Sequence, residues 1–140
     1  MNSSQAAFFL RNELRPKRPY AQLHHVITDR GSKYSVTAVQ VESKQELLSA
    51  IKTLKEDKAY RKATHNTYAA RYIESGAVVE VKADDGETGA GMTILRPMRS
   101  ANLVNCVIIV TRWFGGIKLQ GDRFKHVQDA TTAGIIAITS

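Results

Sequence analysis

The chain has 140 residues, 43% of them hydrophobic, which fits one domain with a core of its own. Its 20 Lys and Arg residues outnumber its 13 Asp and Glu residues, and the net charge of +7 favours acidic partners such as RNA or ribosomes. No apolar run approaches the roughly 18 residues of a membrane span, and no secretory core is present. The sequence therefore predicts a soluble protein without a membrane segment.

Cys106 is the single cysteine, and it lies inside an apolar run. An intramolecular disulfide is therefore excluded, and the residue is expected to act as a small core hydrophobe. This cysteine usage predicts a reducing, intracellular setting, and hence a cytoplasmic protein.

The first 20 residues contain a short apolar run at 6–10 and then the basic sequence RNELRPKRPY. Two prolines within four residues argue against regular structure there. We predict a flexible basic tail over residues 1–20, followed by one domain over 21–140. The alternative function for the tail is a basic arm that binds nucleic acid.

The first half of the domain predicts two strands, a helix and a third strand. Strands at 23–29 and 34–41 form a hairpin around Arg30-Gly31-Ser32. Ser43 and Glu46 form a capping box, followed by apolar residues at helical spacing to about residue 57. Residues 63–73 predict a strand with polar atoms on both faces, so that one face meets solvent or a ligand.

The second half predicts a strand, a helix, a buried strand and a last helix. A strand at 78–81 leads into a helix from about Thr88, and Pro97 predicts that this helix is short, bent or late in starting. The apolar run at 103–111 fits a strand buried on both faces. A helix at about 123–138 follows, with Asp122 as its expected N-cap.

The predicted order is therefore β-β-α-β-β-α-β-α. It indicates an α+β two-layer sandwich with the helices stacked on one face of the sheet.

Three carboxylates, Asp84, Asp85 and Glu87, precede the second helix. They predict a Mg²⁺ site acting on a phosphate ester or, as we favour, a helix N-terminus that Asp85 or Glu87 complements, with the remaining carboxylates solvated. His65 lies near the start of a strand without a second metal-type ligand at suitable spacing, so a hydrogen-bonded histidine is the favoured interpretation.

Five basic residues follow the buried strand, namely Arg112, Lys118, Arg123, Lys125 and His126. The last three fall in the first turn of a helix, where cations oppose the macrodipole unless an anion docks there. The alternative is an internal salt-bridge network with Asp122 and the three carboxylates, and the sequence does not separate the two.

Cofactor and catalytic motifs are not found. The glycines form neither a P-loop nor a dinucleotide fingerprint, and no triad-like grouping of Ser, Cys and His is present. We therefore predict no cofactor, no metal and no catalytic residue. Trp113 and Phe114 are interpreted as aromatic caps on the core, or alternatively as exposed anchors for a protein partner.

Four segments resemble the IMPACT family, which includes bacterial YigZ, and they occur in the family's order. They are ATHNTYAARY (63–72), DDGETGAG (84–91), NCVIIVTRWFGGIKL (105–119) and GDRFKH (121–126), within a resemblance that covers roughly residues 30–138. DDGET followed by AG, together with GDRFKH, resembles the eukaryotic branch. Pro97 and Gln120 depart from the family's usual residues. Only about 30 residues precede this region, where larger eukaryotic members carry an RWD domain.

The resemblance implies a fold like domain 2 of ribosomal protein S5. It implies a non-enzymatic role in translational control under stress, in which the protein binds a ribosome-associated regulator or RNA. Eukaryotic members of the family restrain a starvation-sensing translation kinase by competing for its activator. The family surface that the resemblance implies comprises His65, Asp84, Asp85, Glu87, Arg112, Gly115, Gly116, Asp122, Arg123, Lys125 and His126.

Overall fold

The structure is a computed structural model that describes residues 12–140. One five-stranded antiparallel sheet has the strand order β1-β2-β5-β3-β4. The elements in chain order are β1 (Tyr20–Asp29), β2 (Ser32–Gln40), α1 (Lys44–Leu54), α2 (Lys58–Arg61), β3 (His65–Glu74), β4 (Ala77–Ala83), α3 (Ala90–Ser100), β5 (Cys106–Trp113) and α4 (Asp122–Thr139). The α+β class predicted from the sequence is confirmed.

Strand β5 is the centre of the sheet and is buried on both faces, as its apolar run predicts. Cys106, Ile108 and Val110 join one core cluster, whereas Val107 and Ile109 join a second cluster on the opposite face. Burial of the Cys106 side chain raises the pKa of its thiol to about 12. Cys106 therefore acts as a small core residue, as expected.

The helices divide between the two faces. Helices α3 and α4 cover the face of Ile108 and form the predicted two-layer sandwich with the sheet. Helix α1 instead packs Leu47 and Leu54 against the face of Val107, so the expectation that every helix lies on one face is corrected. The reason is that alternate residues of β5 are apolar on both sides, and each side needs a cover.

The start of α1 agrees with the sequence prediction, whereas the starts of α3 and α4 differ from it. Ser43 caps α1, and its Oγ accepts a hydrogen bond from the backbone N–H of Glu46 at 3.1 Å. Helix α3 begins at Ala90, later than Thr88, and includes Pro97 near its end. Asp122 is the first residue of α4 and not its N-cap, which is Gly121, and its carboxylate binds Arg30 of the β1–β2 turn.

The predicted tail is only partly described, and residues 1–11 lie outside the described residues. Leu14 pairs with Leu103 and packs on the core, so this residue contacts the domain, while the flexibility of the tail stays a prediction. The Lys17 backbone N–H donates to the Ile138 carbonyl at 2.8 Å. The domain boundary at residue 20 stays a prediction. Among residues 12–140, no helix is long and apolar enough to span a membrane.

Candidate anion-binding site

The acidic turn between β4 and α3 holds its three carboxylates apart. Asp84 accepts hydrogen bonds from the backbone N–H groups of Gly89, at 3.0 Å, and Gly91, at 2.8 Å. These bonds satisfy donors at the start of α3 and lower the pKa of the Asp84 carboxyl. A Cβ at Gly91 would lie 2.8 Å from Asp84 Oδ1, which explains the small residue there. Asp84 therefore stabilises the start of α3, and the expectation that Asp85 or Glu87 does so is corrected, because Asp85 binds the Asn66 backbone and Glu87 binds Arg112.

Asp85 ties the same turn to the start of β3. Its Oδ2 accepts the backbone N–H of Asn66 at 2.7 Å, and its carbonyl accepts a hydrogen bond from His65 Nδ1 at 2.8 Å. Asp85 has a φ of 51° and Gly86 a φ of 85°, so the chain passes through the left-handed region twice in succession. The tight turn places the next side chains toward the interior.

Glu87 is the carboxylate that points inward, and it is 5% exposed. Its oxygens lie 2.9 and 3.2 Å from Arg112 Nη1 and 3.0 Å from His65 Nε2. The Arg123 Nε lies 4.0 Å from Glu87 Oε1. Arg112 is itself 7% exposed, so this is a buried ion pair with two further basic groups beside it.

The register of three strands explains why these side chains meet. Tyr34 of β2 pairs with Arg112 of β5, which pairs with His65 of β3. Residues paired directly across a sheet project from the same face. The Arg112 guanidinium lies 5.6 Å from the centroid of the Tyr34 ring. The row faces α4, and the first turn of that helix contributes Arg123.

A cleft of about 500 Å³ opens beside this row, and we call it the basic cleft. Among the described residues that line it, three are cations and none is a carboxylate. The lining residues are Thr64, His65, Arg112, Phe114, Lys118, Leu119, Gln120 and Arg123.

Several polar atoms around the basic cleft lack partners. The Nε atoms of Arg112 and Arg123 and the hydroxyl of Tyr34 are buried without a hydrogen-bond partner among the described residues. Burial raises the pKa of Tyr34 to about 12. Lys118 is exposed and forms no ion pair within residues 12–140. This arrangement suits an oxyanion, which can accept from several N–H and O–H donors at once.

The remaining predicted residues lie outside the basic cleft. Asp122 binds Arg30, and His126 Nε2 lies 2.7 Å from Asp29 Oδ2. The Arg30 and His126 side chains lower the pKa of the Asp29 carboxyl to about 2. Lys125 is exposed and has no ion pair in the described part of the chain.

The two glycines shape the loop after β5. Gly115 lies against Gly31 of the β1–β2 turn, and a Cβ on Gly115 would come within 2.1 Å of the Gly31 carbonyl carbon. Gly116 has a φ of 92°, as the predicted turn requires. The close contact between Gly115 and Gly31 thus fixes the start of the loop that lines the basic cleft.

The structure therefore brings together part of the predicted set and adds residues to it. His65, Glu87, Arg112, Lys118 and Arg123 form or line the cleft. Sequence reasoning missed Tyr34, because strand pairing alone places it opposite Arg112. It also missed Asp29 and Arg30, whose partners on α4 are more than 90 residues away. No local pattern signals such contacts.

Trp113 and Phe114 differ in burial, and therefore in the role that each can play. Trp113 is partly buried among His24, His25 and Tyr60, and its Nε1 donates to the Ala59 carbonyl at 3.0 Å. It caps the core, as the favoured interpretation predicts. Phe114 is 47% exposed, and only this residue retains the exposed-anchor interpretation.

The structure defines a small α+β domain with a cationic cleft beside its central strand. Residues 30–135 match the family model of the Impact N-terminal domain. The chain belongs to the IMPACT family, and the resemblance seen in the four sequence segments is confirmed.

Relatives in several organisms agree with this assignment. The Protein IMPACT homolog of Saccharomyces cerevisiae is 36% identical over 112 residues, which is 79% of this chain and 43% of the yeast protein. Protein IMPACT of Homo sapiens is 39% identical over 105 residues, or 74% of this chain and 33% of the human protein. The chain thus spans between a third and a half of the length of these relatives.

Two solved structures resemble this one. The two-domain translational regulator Yih1 matches with a TM-score of 0.57 and 32% identity, over 86% of this chain and 47% of that chain. The crystal structure of a hypothetical protein matches with a TM-score of 0.64, over 90% of this chain and 59% of that chain. Because the second is only 16% identical, it shows the shared fold alone. The similarity to domain 2 of ribosomal protein S5 stays a prediction.

Proposed function

We propose that this chain is a cytoplasmic binding domain that acts in translational control, and that its basic cleft contacts a ribosome-associated partner, either protein or RNA. The observation that carries the proposal is the basic cleft itself, which among residues 12–140 has three lining cations, no lining carboxylate and buried donors without partners. Family membership supports the biological setting, because Yih1 is described as a translational regulator.

The geometry favours binding over metal-dependent hydrolysis. Asp84 is committed to α3, Asp85 to the start of β3 and Glu87 to Arg112. No group of three or more metal-type ligands occurs within residues 12–140. Metal ions need several oxygen ligands that converge on one point, and these three carboxylates diverge.

The family resemblance also implies control of a starvation-sensing kinase. We propose this role for the whole protein and not for this domain alone. The chain covers 43% of the yeast relative, so competition for an activator is proposed of the whole protein. We propose that the domain supplies the ribosome-facing contact in a stress response.

Cosedimentation with purified ribosomes across a salt series tests the proposal. The test variant is Lys118→Ala combined with Arg123→Ala, which removes one exposed and one half-buried cation and keeps the buried pair between Arg112 and Glu87. We expect weaker association and a smaller dependence on salt. Lys125→Ala is the matched control, since it removes an exposed cation from the same helical turn outside the cleft. Equal association of the double variant and the wild type would contradict the assignment to this cleft.

A further inference from the structure

Phe114 lies between two cavities, and this position extends the basic cleft to a neighbouring surface. It lines the basic cleft and also a pocket of about 360 Å³ on its other side. We call the second cavity the aromatic pocket. Its lining residues are His24, His25, Gly31, Lys33, Ala59, Trp113 and Phe114. A cationic cavity and an aromatic cavity therefore adjoin across one ring that is 47% exposed.

A bulge in strand β1 shapes the aromatic pocket. The register of β1 against β2 shifts between Leu23 and Ile27, which marks a bulge. His25 sits in this bulge with a φ of 50°, and its backbone N–H donates to Ser35 Oγ at 2.8 Å. A non-glycine residue in the left-handed region is held there by its surroundings. The bulge thereby fixes the outward position of the two histidine rings.

Ring geometry in the aromatic pocket offers flat faces and edges. The rings of His24 and His25 stack with centroids 3.7 Å apart, and His25 meets Trp113 edge-on at 5.2 Å. His24 and His25 are exposed residues, as is Lys33. The pocket has one lysine and no carboxylate among its lining residues. Exposed aromatic rings next to cations are typical of sites that bind single-stranded nucleic acid, because the bases stack on the rings.

The basic cleft supplies the matching phosphate site. Arg112 is more than nine-tenths buried, lines the cleft and keeps an Nε without a hydrogen-bond partner among the described residues. Its guanidinium lies 5.7 Å from the centroid of the Phe114 ring. A phosphate in the cleft would therefore lie next to a base stacked on Phe114.

We propose that single-stranded RNA crosses the domain at Phe114, with backbone phosphates in the basic cleft and unpaired bases in the aromatic pocket. The inference rests on the proposed function, because it names RNA as the partner at the same cleft. Paired bases in a duplex are stacked on each other and present no free faces to protein rings. Carboxylates of an acidic protein could pair with the cations of the basic cleft, but they would not stack on the rings of the aromatic pocket.

The test uses fluorescence anisotropy of labelled oligoadenylate and oligouridylate RNA, with a hairpin duplex and single-stranded DNA alongside. Phe114→Ala should weaken binding of single-stranded RNA about tenfold or more and leave the salt dependence unchanged. Arg123→Ala should weaken binding and reduce the salt slope by about one. Trp113 is the single tryptophan, and bound bases should quench its fluorescence.

Ile117→Ala is the matched control, because Ile117 is 53% exposed on the same loop and lines neither cavity. Its binding should equal that of the wild type, and melting temperatures of all variants establish that they fold. Equal binding by Phe114→Ala and wild type would overturn the inference, as would tighter binding of the duplex or of single-stranded DNA. If ribosomes cosediment but free single-stranded RNA does not bind, this inference fails and the proposed function stands. If ribosomes do not bind at all, the proposed function fails.

Discussion

Replacement of Glu87 by alanine tests whether the buried pair with Arg112 holds the floor of the basic cleft. Glu87 is 5% exposed and Arg112 is 7% exposed, so the carboxylate is the main partner of a nearly buried guanidinium. Removal of one member of a buried ion pair costs about 3–5 kcal/mol, because the other charge stays desolvated. Arg112 lines an open cleft, and water can reach part of it, so we expect about 3 kcal/mol.

This loss is large relative to the whole stability of such a domain, which is about 5–15 kcal/mol. For a chain of this length it corresponds to a fall in melting temperature of roughly 10 °C. The assay is urea unfolding at pH 7, followed by circular dichroism, with the slope compared between variants. Asp122→Ala is the control, since it breaks an exposed pair with Arg30 and should cost less than about 1 kcal/mol.

A double variant separates the pair from its individual side chains. Glu87→Leu with Arg112→Met replaces both charges by apolar groups of similar size, and such replacements are often close to neutral. We expect the double variant to be more stable, by about 2 kcal/mol or more, than the summed losses of Glu87→Leu alone and Arg112→Met alone predict. Additive losses, or a cost below about 1 kcal/mol for Glu87→Ala, would refute the reasoning.

Three other substitutions test the surrounding turns. Gly115→Ala should cost about 1–3 kcal/mol in urea unfolding, since its Cβ would meet the Gly31 backbone at 2.1 Å; Gly121→Ala, with nothing within 4 Å, is the control. Asp84→Ala should cost about 1 kcal/mol through the lost cap of α3, and an unchanged melting temperature would contradict that role. Asp29→Asn should lower the melting temperature above pH 4. Because the pKa of the Asp29 carboxyl is about 2 against an ordinary 3.8, the difference from wild type should disappear as the pH falls from 4 to 2; a constant difference would exclude the pairing.

The elements of the fold follow from local patterns, and for that reason the sequence predicts them. The apolar run that contains Ile108 identifies the central strand, and the Ser43 capping box identifies the start of α1. The prediction of the face for α1 was wrong. That face depends on which side of β5 remains open once α3 and α4 are in place, and helical spacing carries no such information.

The candidate site was predicted as a set of residues but not as an arrangement. Three neighbouring carboxylates were considered together, yet two successive positive φ values send Glu87 inward and away from the other two. The partner of Arg112 could not be read from the sequence, because strand register and the turn at Gly86 place Glu87 beside it. Short-range patterns predict elements, whereas the contacts at this site join residues 22 to 36 positions apart.

The geometry also changes which residues are suitable for testing the cleft. Arg112 is the most central cation, but its Nη1 donates to both oxygens of Glu87, so its substitution would disturb folding and binding together. Arg123 has a side chain that is 42% exposed, and Lys118 is exposed, so both can meet a ligand without supporting the core. Loss of binding on substitution of these two residues would therefore report on the ligand, whereas loss on substitution of Arg112 would report first on the fold.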